Sequence, residues 1–273
     1  MDHKIRRPEC DTLFFEHLMT HDMQVGSFAS HTHSAYELLY VVSGEVTLTV
    51  EDKKYKLKKD DLAVVRPLCY HFTHIDAVSD YERYNFLFNP GAIGVDNIDL
   101  LPEGIDVYNC RHRQMIGDLI KKTDYYSQHL CAEALLDISA CLLKELVYNL
   151  SIISKEEWEA SSLTVSHPLI SEALKIINAE LFSKISIPSV ARRLFVTESY
   201  FYRLFKEELG ITPARYISEK RLHTARSMIS LGASPTRVHS ECGFCDYTSF
   251  YRSYVRYFGY PPSKEKQVKV VEG

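Results

Sequence analysis

The chain has 273 residues, of which 45% are hydrophobic and 25% charged, and its formal net charge is −4 at pH 7. These values are typical of a globular protein and exclude a disordered, collagen-like or low-complexity chain. No apolar run approaches the about 20 residues that span a bilayer, and the mixed-charge N-terminus is unlike a signal peptide. We therefore expect a cytoplasmic protein without membrane contact.

Charge is distributed unevenly along the chain. Residues 166–273 contain 16 Lys and Arg against 10 Asp and Glu, a net charge of +6. The rest of the chain contains 16 basic and 26 acidic residues, a net charge of −10. A basic C-terminal part beside an acidic N-terminal part favours a polyanionic partner for the C-terminal part alone.

Residues from about 25 to 90 have the pattern of short antiparallel strands. Apolar and polar residues alternate over 45–50, and strand-like runs follow at 55–58, 62–65 and 84–88. Acidic turns at 51–52 and 60–61 separate these runs. The pattern predicts an antiparallel barrel or sandwich, followed by a loop-like segment at 91–110.

Residues 111–153 change to helical periodicity. Apolar residues recur at helical spacing over 134–150, and a second amphipathic helix is predicted at 114–130. Such helices could pack against the β-domain, form a dimer interface, or do both. We interpret 111–153 as a dimerisation segment and the Ser-, Glu- and Lys-rich residues 154–166 as a linker.

One pattern occurs twice in the predicted all-helical domain, 167–268. Each copy, at 187–210 and at 235–259, has a short helix, a tight turn and a longer helix. The longer helices are predicted at 198–209 and 247–258, after the good N-cap residues Thr197 and Asp246. Glycine follows each longer helix and can adopt the left-handed conformation that ends it. The sequence therefore predicts a tandem helix-turn-helix.

The longer helix of each copy has one polar face opposite its apolar face. An α-helix fits the major groove of DNA, where Arg can form two hydrogen bonds with guanine. The residues predicted to contact DNA are Ser199, Tyr202, Arg203, Lys206, Thr248, Ser249, Arg252 and Arg256.

Residues 168–265 resemble the DNA-binding domain of AraC-type bacterial transcription regulators. The resemblance is carried by Val190-Ala191, the run from Tyr200 to Lys206, the run from Gly210 to Pro213, Arg221-Leu222 with Ala225, and Gly243-Phe244. It implies that Ser199, Tyr202 and Arg203 of the first unit, and Thr248, Ser249 and Arg252 of the second, face the bases.

The second unit departs from the family pattern at three positions. Pro235 stands where the family usually has Ile, His239 where it usually has a small residue, and Val255 where it usually has Lys. The last change removes a phosphate contact. We therefore expect the second unit to dock on DNA less tightly than the first.

A second group of chemically active residues lies in the N-terminal part. His31, His33 and Glu37 have equal parity, so they would share one face of a strand, and His71 could join them from a neighbouring strand. Three imidazoles and one carboxylate are a ligand set for Zn, Ni, Fe or Mn. Three interpretations stay open: a divalent transition-metal site, a polar effector pocket without metal, and buried structural histidines.

This arrangement resembles a cupin, whose two motifs supply three His and one Glu. The first motif fits well after Gly26, whereas the second has Asp61 and Cys69 in place of glycines. Sensor domains of AraC-type regulators are cupin-like barrels, so the resemblance implies that residues 1–110 form an effector-binding domain.

These features together predict an α+β protein: an N-terminal antiparallel, cupin-like β-barrel with flanking helices, followed by an all-α tandem helix-turn-helix domain. We expect a ligand-responsive, sequence-specific DNA-binding transcription regulator that senses a small molecule, such as a sugar or another metabolite. Its expected partners are promoter DNA, a small-molecule effector, a second copy of the chain and RNA polymerase. We expect no enzyme activity; the alternative is a metal-dependent cupin enzyme with a DNA-binding tail.

Overall fold

The computed structural model describes residues 13–94, 101, 106–153, 163–165 and 167–265. Five parts of the predicted domains therefore lie outside the described residues: 1–12, 95–100 and 102–105 of the sensor domain, most of the linker at 154–166, and 266–268 at the C-terminal end.

The described N-terminal residues form two five-stranded sheets. The strands are Leu13–Met23 (β1), Gly26–Ser27 (β2), Tyr36–Ser43 (β3), Val46–Val50 (β4), Lys53–Leu57 (β5), Asp61–Val65 (β6), His71–Ile75 (β7), Ser79–Phe88 (β8), Val107–Asn109 (β9) and Leu163–Val165 (β10). Their order is β1-β8-β3-β6-β9 in one sheet and β10-β5-β4-β7-β2 in the other, with antiparallel pairing. The antiparallel β-domain is confirmed, although its two sheets do not close into a continuous barrel.

The central strand β3 is buried on both of its faces. Leu39 and Val41 pack in the core between the two sheets, whereas Leu38 and Tyr40 belong to a second core on the outer face of the first sheet. Burial on both faces explains the continuous apolar sequence of this strand, because neither set of alternating side chains meets water.

Two helices cover that outer face, Gln114–His129 (α1) and Ala132–Ser151 (α2). Their buried side chains join the outer core, with Leu119 of α1 and Leu146 of α2 among them. The apolar side chains that gave residues 111–153 their helical periodicity are thus, in part, the side chains that pack on the sheet.

The C-terminal domain consists of helices. They are Pro168–Ala179 (α3), Ile187–Arg193 (α4), Glu198–Leu209 (α5), Pro213–Ser230 (α6), Pro235–Glu241 (α7) and Tyr247–Phe258 (α8). The bounds of α5 and α8 are those expected from the sequence. Thr197 accepts a hydrogen bond from the amide of Tyr200, and Asp246 accepts one from the amide of Ser249. Gly210 and Gly259 end the two helices with φ of 72° and 83°.

Three strands lie where the sequence indicated none. β1 begins at Leu13, upstream of the predicted β-region, and β9 lies in the segment expected to be loop-like. β10 lies within the predicted linker and pairs with β5. Both β9 and β10 have three residues, too few to show an alternating pattern, and the sheet edge beside them supplies their hydrogen bonds.

The two domains are joined by a largely buried carboxylate. Glu51, at the turn between β4 and β5, accepts a hydrogen bond of 2.6 Å from the Tyr216 hydroxyl and lies 2.8 Å from Nζ of Lys220, both on α6. It also accepts a hydrogen bond from the amide of Tyr70. Side-chain exposure of Lys220 is only 8%, so this ion pair is largely removed from solvent.

Tyr70 extends from the β-domain into the helical domain. Its side chain is buried in the core of the first helix-turn-helix unit, where its ring stacks on that of Tyr216 with centroids 4.9 Å apart. Its hydroxyl donates a 2.5 Å hydrogen bond to Glu219. The β-domain therefore contacts α6, the helix that connects the two helix-turn-helix units.

Candidate functional site

The longer helices α5 and α8 present matching faces. Phe201 and Phe205 of α5, and Phe250 and Tyr254 of α8, are buried in the cores of their units. The opposite faces are exposed and carry all eight residues predicted to contact DNA: Ser199, Tyr202, Arg203, Lys206, Thr248, Ser249, Arg252 and Arg256. The sensor domain leaves these side chains open to solvent.

Helix α6 connects the two units, and Arg221 on it fixes their relative position. Its guanidinium donates hydrogen bonds to the carbonyls of Leu181 and Ser183, which follow α3, and to the carbonyl of Gly243 in the second turn. The three bonds are 2.7–2.8 Å long. The guanidinium thus joins the backbone between α3 and α4 to the turn of the second unit, which makes Arg221 a positioning residue for the pair α5 and α8.

Two departures from the family pattern occupy compatible places in the second unit. Pro235 begins α7, where its missing N–H removes no helical hydrogen bond. His239 packs its ring against Tyr247 and Phe250 of the same unit. Both residues are therefore accommodated by the local structure.

The four residues of the predicted sensor site lie together. One ligand atom from each of His31, His33, Glu37 and His71 lies within 4.8 Å of the ligand atoms of the other three. Oε2 of Glu37 is 3.0 Å from Nε2 of His33 and 2.9 Å from Nε2 of His71. We call these four residues the histidine cluster.

The route by which the cluster forms differs from the sequence argument. Glu37 lies on β3, but residues 32–35 belong to no strand, and His31 contributes only an isolated bridge to His71 of β7. The prediction that these residues share one face of a single strand was therefore wrong. The residues meet because two separate segments converge at one end of the sandwich.

Backbone carbonyls fix the tautomer of all three histidines. Nδ1 of His31, His33 and His71 lies 2.9–3.1 Å from the carbonyl oxygens of Ala29, Ala35 and Cys69, respectively. A carbonyl only accepts hydrogen bonds, so each Nδ1 carries a proton and each neutral ring has its lone pair at Nε2. In metal sites, a hydrogen bond from the other ring nitrogen to a carbonyl or carboxylate orients each metal-binding imidazole in the same way.

The carboxylate of Glu37 needs positive charge beside it, from a proton or from a cation. Burial opposes ionisation of Glu37, but the contacts with His33 and His71 outweigh it and lower its pKa below the ordinary range. The Nε2 lone pairs of neutral His33 and His71 would repel the same carboxylate oxygen. A proton or a metal ion removes this repulsion, so the donor set fits a divalent transition metal.

Two family models match separate parts of the chain. Residues 19–96 match the family model described as an AraC-like ligand binding domain, and residues 190–267 match that of a helix-turn-helix domain. LumQ from Photobacterium leiognathi is 22% identical over 86% of this chain and 90% of that protein. The HTH-type transcriptional activator RhaR from Cronobacter sakazakii is 24% identical over 88% of this chain and 87% of that protein.

Among solved structures, ToxT from Vibrio cholerae aligns with 93% of this chain and 96% of that chain, at 11% identity and a TM-score of 0.37. None of the helices in the described residues combines the length and the apolar character needed to cross a bilayer.

Proposed function

The chain is an AraC-type transcriptional regulator with an N-terminal ligand-binding domain and a C-terminal helix-turn-helix domain, and on that premise we propose how it binds promoter DNA and what it senses. We propose that α5 and α8 enter successive major grooves on one side of the duplex, about 34 Å apart, as tandem reading helices do. The observation that carries this proposal is the pair of exposed polar faces held in register by Arg221.

Site selection from a random duplex library tests the DNA-binding proposal. The full chain should enrich a sequence with two blocks separated by one helical turn. Affinity for that site should fall steeply with salt, since each phosphate contact adds a slope of about −0.9 in log K against log salt. Enrichment of a single block, or of none, would contradict a two-helix docking mode.

We propose that the histidine cluster holds a divalent transition metal, for which Zn, Ni, Fe and Mn are the candidates. A bound metal would supply positive charge beside Glu37, which would attract the polar groups of a small effector, such as a sugar or another metabolite. Fixed Nδ1–H tautomers support this proposal. Elemental analysis of protein purified without a His-tag tests it, with His33→Ala as the matched loss variant.

Absence of stoichiometric metal from the wild-type protein would leave a polar pocket for the effector alone. A thermal-shift screen of metabolites on the full chain distinguishes that outcome, because only a ligand-binding pocket gives a concentration-dependent shift. We propose a regulatory and not a catalytic role, in the cytoplasm. Turnover of a candidate substrate by the metal-loaded protein would instead support the cupin-enzyme alternative.

We also propose that α1 and α2 form a homodimer interface. Large apolar side chains remain exposed on these helices beside those buried against the sheet: Met115, Tyr125, Leu136 and Tyr148. Sedimentation equilibrium of the wild type and of Leu136→Glu tests the proposal. A monomeric wild type, or a variant that dimerises as tightly as wild type, would exclude this face.

A further inference from the structure

The histidine cluster lies directly against the DNA-binding domain. Ser30, next to His31, has its Cβ 3.3 Å from the place where a Cβ on Gly210 would lie. Tyr70, next to His71, is buried in the core of the first helix-turn-helix unit. Both segments that supply histidines therefore continue into contacts with the other domain.

His223 lies one turn after Glu219 on α6, the residue that accepts the hydrogen bond from the Tyr70 hydroxyl. Its side chain is buried, with an exposure of 6%, and its Nε2 lies 3.0 Å from the hydroxyl of Tyr257 on α8. Its Nδ1 is buried and has no hydrogen-bond partner within the part of the chain that the structure describes. Burial, and then the nearby charges of His33 and Arg226, lower the pKa of His223 to about 3.

Two polar atoms on the segment that carries His31 and His33 are also buried without a hydrogen-bond partner. Oγ of Ser30 and Oγ1 of Thr32 are buried without a partner among the described residues. A buried polar group left unpaired costs about 1–3 kcal/mol, so such groups rarely accumulate without a ligand, ion or water. Here they flank the histidines at the boundary between the two domains.

We propose that the histidine cluster is a cation site shared by the two domains, in which a water molecule or small polar ligand on the cation forms a hydrogen bond with Nδ1 of His223. The proposal rests on the proposed function of the cluster as a divalent-metal site. His223 is an outer-shell partner of the cation and not a ligand, since its ring nitrogens are not among the atoms that converge within 4.8 Å.

Cation binding in this arrangement is coupled to the position of the DNA-facing helices. His223 connects the cluster to Tyr257, near the C-terminal end of α8, and its own helix α6 joins the two units. A cation that binds the docked arrangement more tightly than the undocked one stabilises docking by the same free energy. The site thus provides a physical route from the sensor to both reading helices.

Zinc affinity of the full chain, measured by competition with a chromophoric chelator, tests the proposal. His223→Leu keeps the volume of the ring but removes the free nitrogen, whereas His223→Asn places a polar atom near the position of Nδ1. Loss of an outer-shell partner typically lowers metal affinity about 10–100-fold. We expect such a loss in the Leu variant and recovery of most of it in the Asn variant.

Backbone amide exchange of the same proteins gives a second readout. Zinc should slow exchange in α6 of the wild type and of His223→Asn, but not of His223→Leu. If His223→Leu binds zinc as tightly as the wild type and shows the same protection, the shared site is overturned while the metal site stands. If the wild type binds none of Zn, Ni, Fe and Mn at the cluster, both the metal site and the shared site are overturned.

Discussion

Arg203 and Arg252 occupy matching places on the two reading helices but differ in their surroundings. The Arg203 guanidinium lies 5.7 Å from the ring centroid of Tyr200 and 3.9 Å from Glu207, so its side chain is already oriented at the surface. An oriented arginine loses less conformational entropy when it binds a base.

We expect Arg203→Ala to weaken specific DNA binding by ~1–3 kcal/mol and to relax base preference at one position. Arg252→Ala should cost less, because the second unit also lacks the basic residue that Val255 replaces. Gel-shift titration on the selected site measures both. Lys175→Ala, on the exposed face of α3, is the control. Equal losses for the two arginines would contradict the asymmetry.

His223 makes stability depend on pH. Its pKa is lowered to about 3 in the folded protein, from an ordinary value near 6.5. Between these two values the unfolded chain binds the proton and the folded chain does not, so stability present above pH 6.5 is lost as pH falls toward 3.

We expect the free energy of unfolding to decrease in this window by up to about 1.4 kcal/mol per pH unit from this residue. Urea denaturation of the wild type and of His223→Leu at pH 7 and pH 5 measures the effect. The groups facing the ring, Tyr257, Arg226 and His33, are unchanged in the variant. A variant with the same pH dependence as the wild type would show that another group is responsible.

The turn of each helix-turn-helix unit contains one residue in the left-handed conformation, and that residue differs between the two units. The turn of the second unit has Gly243 at φ 77°, and the turn of the first has Phe195 at φ 56° in the corresponding place. Phe195 is 95% exposed, so its ring gains little from packing to offset the left-handed conformation. A Cβ on Gly243 would lie 2.9 Å from the carbonyl oxygen of Phe182 and 3.0 Å from Cζ of Arg221.

Opposite effects of substitution are expected at these two positions. Phe195→Asn should raise the free energy of unfolding by up to ~1 kcal/mol, because Asn tolerates the left-handed region better than Phe. Gly243→Ala should lower it by more than ~1 kcal/mol, through backbone strain and displacement of the Arg221 clamp. Thermal denaturation of both variants measures the difference. A stabilised Gly243→Ala would contradict the clamp.

The contact between the two domains depends on two ion pairs of unequal burial. Glu51 and Lys220 have side-chain exposures of 15% and 8%, whereas Lys54 and Glu208 have 34% and 21%. Coulomb attraction is screened at the more exposed pair, and an unpaired charge is more costly at the more buried one.

We expect Glu51→Gln to lower the free energy of unfolding by ~3 kcal/mol, because it leaves Lys220 buried without its counter-charge. Adding Lys220→Met should recover part of this loss. Glu208→Gln is the matched control and should cost less than ~1 kcal/mol. Urea denaturation of the wild type and of the three variants provides the comparison. Equal costs at Glu51 and Glu208 would show that the domain contact does not depend on the buried pair.

Local signals in the sequence were sufficient for the helix-turn-helix pair. Thr197 and Asp246 start α5 and α8, and Gly210 and Gly259 end them, because each cap satisfies backbone groups within a few residues of itself. The members of the histidine cluster were also predictable from their chemistry. Strand periodicity, however, did not explain how they meet, since His31 and His33 lie outside β3.

Tertiary structure alone decided where the domains meet. The bonds from Tyr70 to Glu219 and from Tyr216 to Glu51 join residues 149 and 165 positions apart, and nothing local in the sequence pairs such distant groups. The same holds for His223. From the sequence it is one polar residue of a helix, and only the packed structure places its Nδ1 in the interior without a hydrogen-bond partner among the described residues. Caps and periodicity are properties of a short segment, whereas burial and pairing across domains exist only after the chain has folded.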